Sequence, residues 1–578
     1  MRRSPELMAI LGSLGVAVLG FLLAAIFMAP LASLREDLRP QDLSSLEQEI
    51  PPEIAISQTA LGSFRGIGLI FLMLRATELQ DEGRYHEAAR ISDWVTTLAP
   101  RYEWVWTFHS HNLAFNIAAT SFSAAERWMW VSTGIELLRG RGLVINPLSA
   151  KLHNELQFYF TFKIEDEVDD FHEYYQDQLA REWERVLGAP PPNADSADLV
   201  AWFRPIADAP HTKEALAAAV PALAEVLSQL TIDADLLALM TGPSLAAPRN
   251  AREKELASRL RPLREIALAL PAGATALDAL IAHTRGAHLR RRYHMDPELM
   301  LDLMEQIGPL DWRTGGAHGC YWAIQGELRK RLKQPKVRLG ADGVPLGELL
   351  KNVRVLGSLI KLVEAGRVVY CASDDAYSRL PDPRFLPAYE VARFQGLTLA
   401  ECEDYQRTTY QILLTQSTLD AYFAGESQLA AGFFERLARH FSVATELESF
   451  IDAQLWLQIT SDASVALEES LTYFCVGAYS HGLAVGRPDI AERFRVHAQR
   501  IHAERGAATL PPLAELELRA LRLYLQTSSA LVPLAAKARV WRAVAPELIR
   551  QIYEQVIGFL ADEARRAGLD VEQLFPRR

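Results

Sequence analysis

The chain has 578 residues, 49% of them hydrophobic and 23% charged, with a formal net charge of −12. That balance excludes a disordered chain, and the absence of a basic field excludes nucleic acid as a main partner. A single hydrophobic core does not extend over this length, so about two to four packed units are expected. Ala, Leu, Arg and Glu dominate while Val-Ile-Thr runs are scarce, which points to an all-α fold. The four cysteines, Cys320, Cys371, Cys402 and Cys475, form no CxxC pair. A zinc knuckle is thereby removed at the motif level, and buried free thiols are the plainer reading.

The chain begins with the basic Arg2 and Arg3, and no charged residue interrupts Leu7 to Leu34. A spanning helix needs about 20 apolar residues, so the run is long enough. It exceeds the apolar region of a cleaved signal peptide, about 7–15 residues, and Pro30 spoils the exit at Ala29–Ala32. Residues 1–34 therefore read as a cytoplasmic start and a transmembrane anchor, single-pass in the inner (cytoplasmic) membrane. Arg2 and Arg3 hold the start inside, which places the bulk on the periplasmic side. Residues 35–62 read as a polar, Pro-bearing spacer.

Residues 63–188 read as helical hairpins. In Leu69–Pro100 the residues Gly83, Tyr85, Ala88 and Pro100 stand at relative spacings 0, 2, 5 and 17. This resembles the tetratricopeptide repeat (TPR), a helix–turn–helix unit of about 34 residues. Leu72 stands where the repeat has Trp, and Ala76 supplies the small residue of the first helix. Arg101–Pro147 reads as a second hairpin, its second helix capped by Ser121 or Ser123 with Glu126 near N3. Leu152–Phe160 and Asp169–Leu187 make a third. About three such units are the minimum at which stacking buries a continuous face.

Residues 189–293 read as an Ala/Leu-rich helical insert, broken at Pro210, Pro221, Pro243 and Pro271. Residues 294–450 read as a further helical domain. Asp296 is a suitable N-cap and Pro297 a suitable first residue. Leu299, Met300, Leu303, Met304 and Ile307 mark one face of that helix, and Gly308-Pro309 stop it. Another amphipathic helix starts at Lys351, and Val368-Val369-Tyr370 form a brief strand or an extended exit. Leu397–Gln428 and Ala430–Phe450 read as helical. In residues 451–578, Gly486 and Ala491 repeat the spacing of Gly83 and Ala88, with Pro488 in place of the aromatic. Leu513–Gly568 closes the chain with two capping helices.

The stretch from Asp296 to Arg329 is similar to a family of large, membrane-anchored, TPR-like proteins of planctomycete–verrucomicrobial bacteria. The match rests on Gly308, Pro309, Leu310, Asp311, Trp312 and Arg313, followed by Ala317-His318 and Tyr321-Trp322-Ala323. The segment from Glu126-Arg127-Trp128 to Asn146-Pro147, Arg367, and Pro381 to Leu386 also resemble that family. Gly315-Gly316 depart from its Pro-Glu, which implies a looser helix start. The resemblance implies a fold and a bacterial envelope location, but no reaction.

Asp311, Arg313, His318 and Cys320 are the richest candidate for chemistry, since Cys and His together can serve as nucleophile and base. Residues two apart lie on different helix faces, however. The alternative is an ion pair that fixes a turn beside a packed imidazole. His283, His288 and His294 with Arg285 and Arg290 to Arg292 read as an anion or headgroup patch or as a solvated helix end. Glu165, Asp166, Glu167, Asp169 and Asp170 lack the EF-hand spacing and suit a helix N-terminus. His109 and His111 do not converge on one metal at a spacing of two. No Walker A, GxGxxG, GxSxG or HExxH pattern occurs, so no catalytic residue, cofactor or metal is assigned. The expected function is that of a membrane-anchored helical-repeat scaffold, gripping protein partners at the cell envelope with Arg75, Trp106 and His109 in its groove. The alternative is an envelope enzyme acting on glycan or lipid around Asp311, Arg313 and His318.

Overall fold

The computed structural model describes residues 65–191, 194–224, 273–332, 346–371 and 376–577, apart from 395, 442, 444–445, 461–465, 507–509, 528–531, 533 and 567–568. Leu227, Lys254 and Ser258 are described as isolated residues. The fold is all-α, with one two-stranded hairpin among the described residues. Among these residues no helix is long and apolar enough to cross a membrane. The expected transmembrane helix, and with it the single-pass inner-membrane location, is corrected accordingly. The run Leu7–Leu34 that carried both expectations lies outside the described residues, as does the 35–62 spacer. The first described helix is α1 (Arg65–Asp81), 17 residues whose apolar run ends at Arg75, Glu78 and Asp81. Contacts divide the chain into two compact units, Met1–Ser358 and Leu359–Arg578, the division falling inside the segment 294–450.

In the first unit, α1 folds back onto α2 (Tyr85–Leu98) through Gly83 at φ 74°. The Arg84 N–H donates to the Leu79 carbonyl at 2.8 Å and the Gly83 N–H to Gln80 at 2.9 Å. This pair is the Schellman arrangement, which requires the left-handed conformation that glycine adopts without a Cβ penalty. Ala76 and Ala88 are both fully buried. Next come α3 (Glu103–His111) and α4 (Ala124–Glu136), the latter capped by Ser123, which accepts from the Glu126 N–H at 3.2 Å. Ser149 caps α5 (Ala150–Phe158) in the same way. Helix α6 (His172–Leu187) begins later than the acidic run suggests. Asp169 is not a solvated helix start: it is buried and takes Lys163 at 2.6 Å, Arg127 at 3.3 Å and the Phe171 N–H at 3.0 Å.

Helices α3, α4 and α5 each run on into a π-helical segment, Asn112–Ile117, Leu137–Gly142 and Tyr159–Ile164. Beyond α7 (Ser196–Ala207) and α8 (Lys213–Ala219), α9 (Gly273–His288) does the same through Leu289–Tyr293. Asp296 caps α10 (Pro297–Ile307), accepting from the Glu298 N–H at 3.1 Å with Pro297 in the first turn.

Helix α11 (Gly315–Leu332) is buried on all sides as far as Arg329. Its glycines explain how. A Cβ on Gly315 would lie 2.6 Å from the Phe160 carbonyl, and one on Gly319 2.5 Å from Thr161 Cγ2. A Cβ on Gly326 would lie 2.6 Å from Asn154 Oδ1. These three positions let α5 and its π segment approach the α11 backbone. Gly315 is therefore a packing requirement at a helix start that Glu165 holds through the Gly315 N–H. The first unit ends with α12 (Leu346–Leu350) and enters α13 (Val353–Ala365).

In the second unit, β1 (Arg367–Cys371) pairs antiparallel with β2 (Ala376–Leu380), Arg367 opposite Leu380. After α14 (Leu386–Phe394) the expected helix 397–428 is instead a 3₁₀ turn, Leu399–Glu401, and α15 (Asp404–Phe423). Gly425 at φ 83° ends α15, with Glu426 N–H on Ala421 at 2.8 Å and Gly425 N–H on Tyr422 at 3.1 Å. The next helix, α16 (Ser427–Phe441), is separate from α17 (Leu447–Thr460). A third turn of this kind lies at Gly486, φ 75°, between α18 (Leu467–Gly477, extended by the π segment Ala478–Gly482) and α19 (Pro488–Ile501). Three helices lie in Leu513–Gly568 where two were expected, α20 (Leu513–Gln526), α21 (Leu534–Ala543) and α22 (Pro546–Arg566), and a single turn, Val571–Leu574, follows them. They surround Leu521, Trp541 and Ile549, with Lys537 paired to Glu563 at 2.5 Å inside.

Candidate functional site

Trp106 and His109 face the core of the first unit. Trp106 is fully buried and its Nε1–H donates to the Pro100 carbonyl at 2.7 Å. His109 is buried, and burial pushes its imidazole down to about 4. Neither side chain is presented to a partner. Arg75 is partly exposed and pairs with Glu78 at 2.5 Å.

Arg313 is buried between Asp311 at 2.7 Å and Glu184 at 2.9 Å, which ties the turn before α11 to α6. His318 is fully buried, its ring 4.2 Å from that of Trp183 and 4.5 Å from that of Phe160. Its Nε2 donates to the Trp312 carbonyl at 2.9 Å, and that acceptor sets the tautomer. Cys320 is fully buried, and burial raises its thiol far above the ordinary range. A thiol held neutral in this way is a poor nucleophile. Cys402 and Cys475 are likewise free and buried.

The basic run through the end of α9 and its π segment does not form one patch. His283 Nδ1 donates to the Pro210 carbonyl at 2.5 Å, Arg292 pairs with Glu136, and Tyr293 is buried. His294 ends the π segment at φ 51°, the one non-glycine residue with positive φ among the described residues.

What this segment does form, together with α4 and α6, is one wall of a cavity of about 340 Å³. Trp128 and Glu136 come from α4, and Glu182 and Trp183 from α6. Arg139, Phe160 and Arg292 come from three different π segments. A π segment inserts one residue into a helical turn and re-aims the side chains after it, and such segments occur frequently at functional sites. Glu136 lies between Arg139, at 3.1 Å, and Arg292. The Arg139 guanidinium lies over the Tyr293 ring at 4.4 Å, and the Tyr293 hydroxyl donates to Glu182 at 2.6 Å. Burial and then the nearby Arg292 and Arg139 push His288 down to about 4, so it is neutral at pH 7. Two guanidiniums and two carboxylates remain on the walls. Among the described residues no group of His, Cys, Asp and Glu is placed to hold a metal ion.

Periodicity does not find these cavity residues, because a π insertion shifts the helical phase. The available signal is that Trp128, Glu136 and Arg139 all fall inside the Glu126–Pro147 segment that carries part of the family resemblance.

A second feature lies on α1. Ile67, Ile70, Phe71 and Leu74 are 48%, 63%, 67% and 67% exposed, at spacings i, i+3, i+4 and i+7. Ala76 and Leu79 of the same helix are buried. Comparison with known protein families, characterised proteins and solved structures finds no match for this chain.

Proposed function

We propose that this chain is a helical-repeat binding protein that captures an amphipathic helix of a protein partner on the outer face of α1. The observation that carries the reading is the exposed stripe Ile67, Ile70, Phe71 and Leu74. Its spacing is that of anchors in helix-in-groove recognition, and contiguous exposed apolar patches mark interaction sites. Arg75, beside the stripe and half-exposed, supplies a rim charge. The TPR-like reading draws support from three turns of one design, at Gly83, Gly425 and Gly486. In each the second helix starts two residues later and a buried alanine follows at five, Ala88, Ala430 and Ala491. Pro100 has no counterpart in the second and third units, where Ser442 and Ala503 occupy that spacing. The Asp311–Cys320 segment is closed by its own contacts, so binding is favoured over catalysis there.

The test replaces Phe71 or Leu74 by Glu. Because both side chains are exposed, the unfolding free energy is expected to change by no more than about 0.5 kcal/mol, read from denaturant midpoints. Crosslinked capture of the partner is expected to fall, since burying an unpaired carboxylate costs several kcal/mol. Equal capture by both variants would remove α1 as the docking face.

A further inference from the structure

We infer that the cavity bounded by α4, α6 and the three π segments binds an uncharged, polyhydroxylated ligand, a sugar ring. The inference rests on the cavity walls alone and not on the α1 stripe. Charge is balanced there, with Arg139 and Arg292 against Glu136 and Glu182. Glu136 pairs with one nitrogen of each guanidinium and offsets their charge, so the walls carry no net positive charge to select an anion, and a cation would meet the same two arginines. What such walls offer is donors and acceptors side by side. Guanidiniums only donate and carboxylates only accept, whereas a hydroxyl does both. Vicinal hydroxyls therefore satisfy alternating Arg and Glu groups without importing charge.

The aromatic walls supply the rest. Trp128, half-buried, presents apolar ring surface of the kind that covers the C–H face of a sugar, and the buried rings of Phe160 and Trp183 complete the lining. Trp183 is fully buried and Arg139 nearly so, yet Trp183 Nε1 and Arg139 Nε find no hydrogen-bond partner in the protein. Buried donors are rarely left in this state, and each such case calls for an explanation. A ligand oxygen reached by a small shift of the wall provides one. The volume, about 340 Å³, lies in the range of small-molecule sites. The exposed Thr133 and Arg292 line the same cavity from its solvent side.

The experiment uses the full chain, with glucose, N-acetylglucosamine, maltose and chitobiose as probes and glucose 6-phosphate and glucuronate as charged controls. Binding is read by calorimetry and by the emission of the cavity tryptophans. At least one neutral sugar is expected to saturate the signal and to bind more tightly than either charged control. Glu182→Gln and Trp128→Ala are expected to weaken that binding about tenfold or more. Thr133→Trp fills the cavity from an exposed position, so it is expected to abolish binding without moving the melting temperature. No saturation by any of the four neutral sugars, preference for a charged control, or unchanged affinity in a folded Thr133→Trp variant would each overturn the assignment.

Discussion

His318 shows how one residue type is read differently once its neighbours are known. Its ring is enclosed by Phe160, Trp183 and Trp312, and its Nε2–H donates to the Trp312 carbonyl. His318→Ala is expected to destabilise the first unit by about 3–5 kcal/mol, as for other large rings removed from a core. His318→Phe keeps the volume and loses the bond, about 1–2 kcal/mol. Denaturant midpoints of the two variants check this ordering, and equal losses would mean that packing contributes little. Buried imidazoles also set a pH dependence. Burial pushes His153 down to about 3 and His109 to about 4. The unfolded chain takes up a proton near pH 6.5 that the folded chain refuses until much lower pH. Their contribution to stability is therefore complete above about pH 6.5 and is lost as pH falls toward 4 and 3. For the fully enclosed His153 it is on the order of 3–5 kcal/mol. Melting temperature should drop steeply from pH 6.5 to 4, and His153→Leu should flatten part of that drop. A curve that is level over this range would count against a neutral buried His153.

At the scale of elements, the three glycine turns matter most. Gly83 and Gly486 are legible in the sequence by their five-residue distance to Ala88 and Ala491. Gly425 and Ala430 have the same distance, but they sit inside a helix-favouring stretch, Ala421–Ala430, where propensity hides the stop. Only the left-handed backbone at Gly425 reveals it. Gly425→Ala is expected to cost about 1–2 kcal/mol, because the αL conformation brings a Cβ against the carbonyl. Gly432→Ala, in the interior of α16 with nothing within 4 Å of the added Cβ, is expected to stabilise by about 0.5–1 kcal/mol. Thermal melts of the pair check the opposite signs. Like signs would mean that Gly425 is not held in a left-handed turn in solution.

For the whole molecule, the two contact units imply more than one cooperative transition. Urea unfolding followed at the tryptophans is expected to show two phases, or a slope too small for 578 residues unfolding together. Truncation after Ser358 cuts α13 between two of its helical residues. A cut at Lys351, before that helix, is expected to leave a first unit that melts with the higher or lower of the two phases. A single sharp transition with the full-length slope would show that the units unfold as one.

Composition, periodicity and capping residues determined by themselves that this chain is all-α, that Asp296 starts one helix and Ser121 or Ser123 another, and that Gly83 turns the first hairpin. Those are local matters, decided by side chains within a few residues of the backbone they act on. The sequence also suggested a groove role for Trp106 and His109 and a possible reactive pairing at His318 and Cys320, since residue type alone does not tell a buried ring from an exposed one. Only the tertiary structure decided that these four side chains are enclosed. It alone gathered Trp128, Glu136, Arg139, Glu182, Trp183 and Arg292 around one cavity. The reason is physical: π insertions break the 3.6-residue phase on which helical periodicity rests, and contacts between residues as distant as Glu136 and Arg292 leave no periodic trace in the chain.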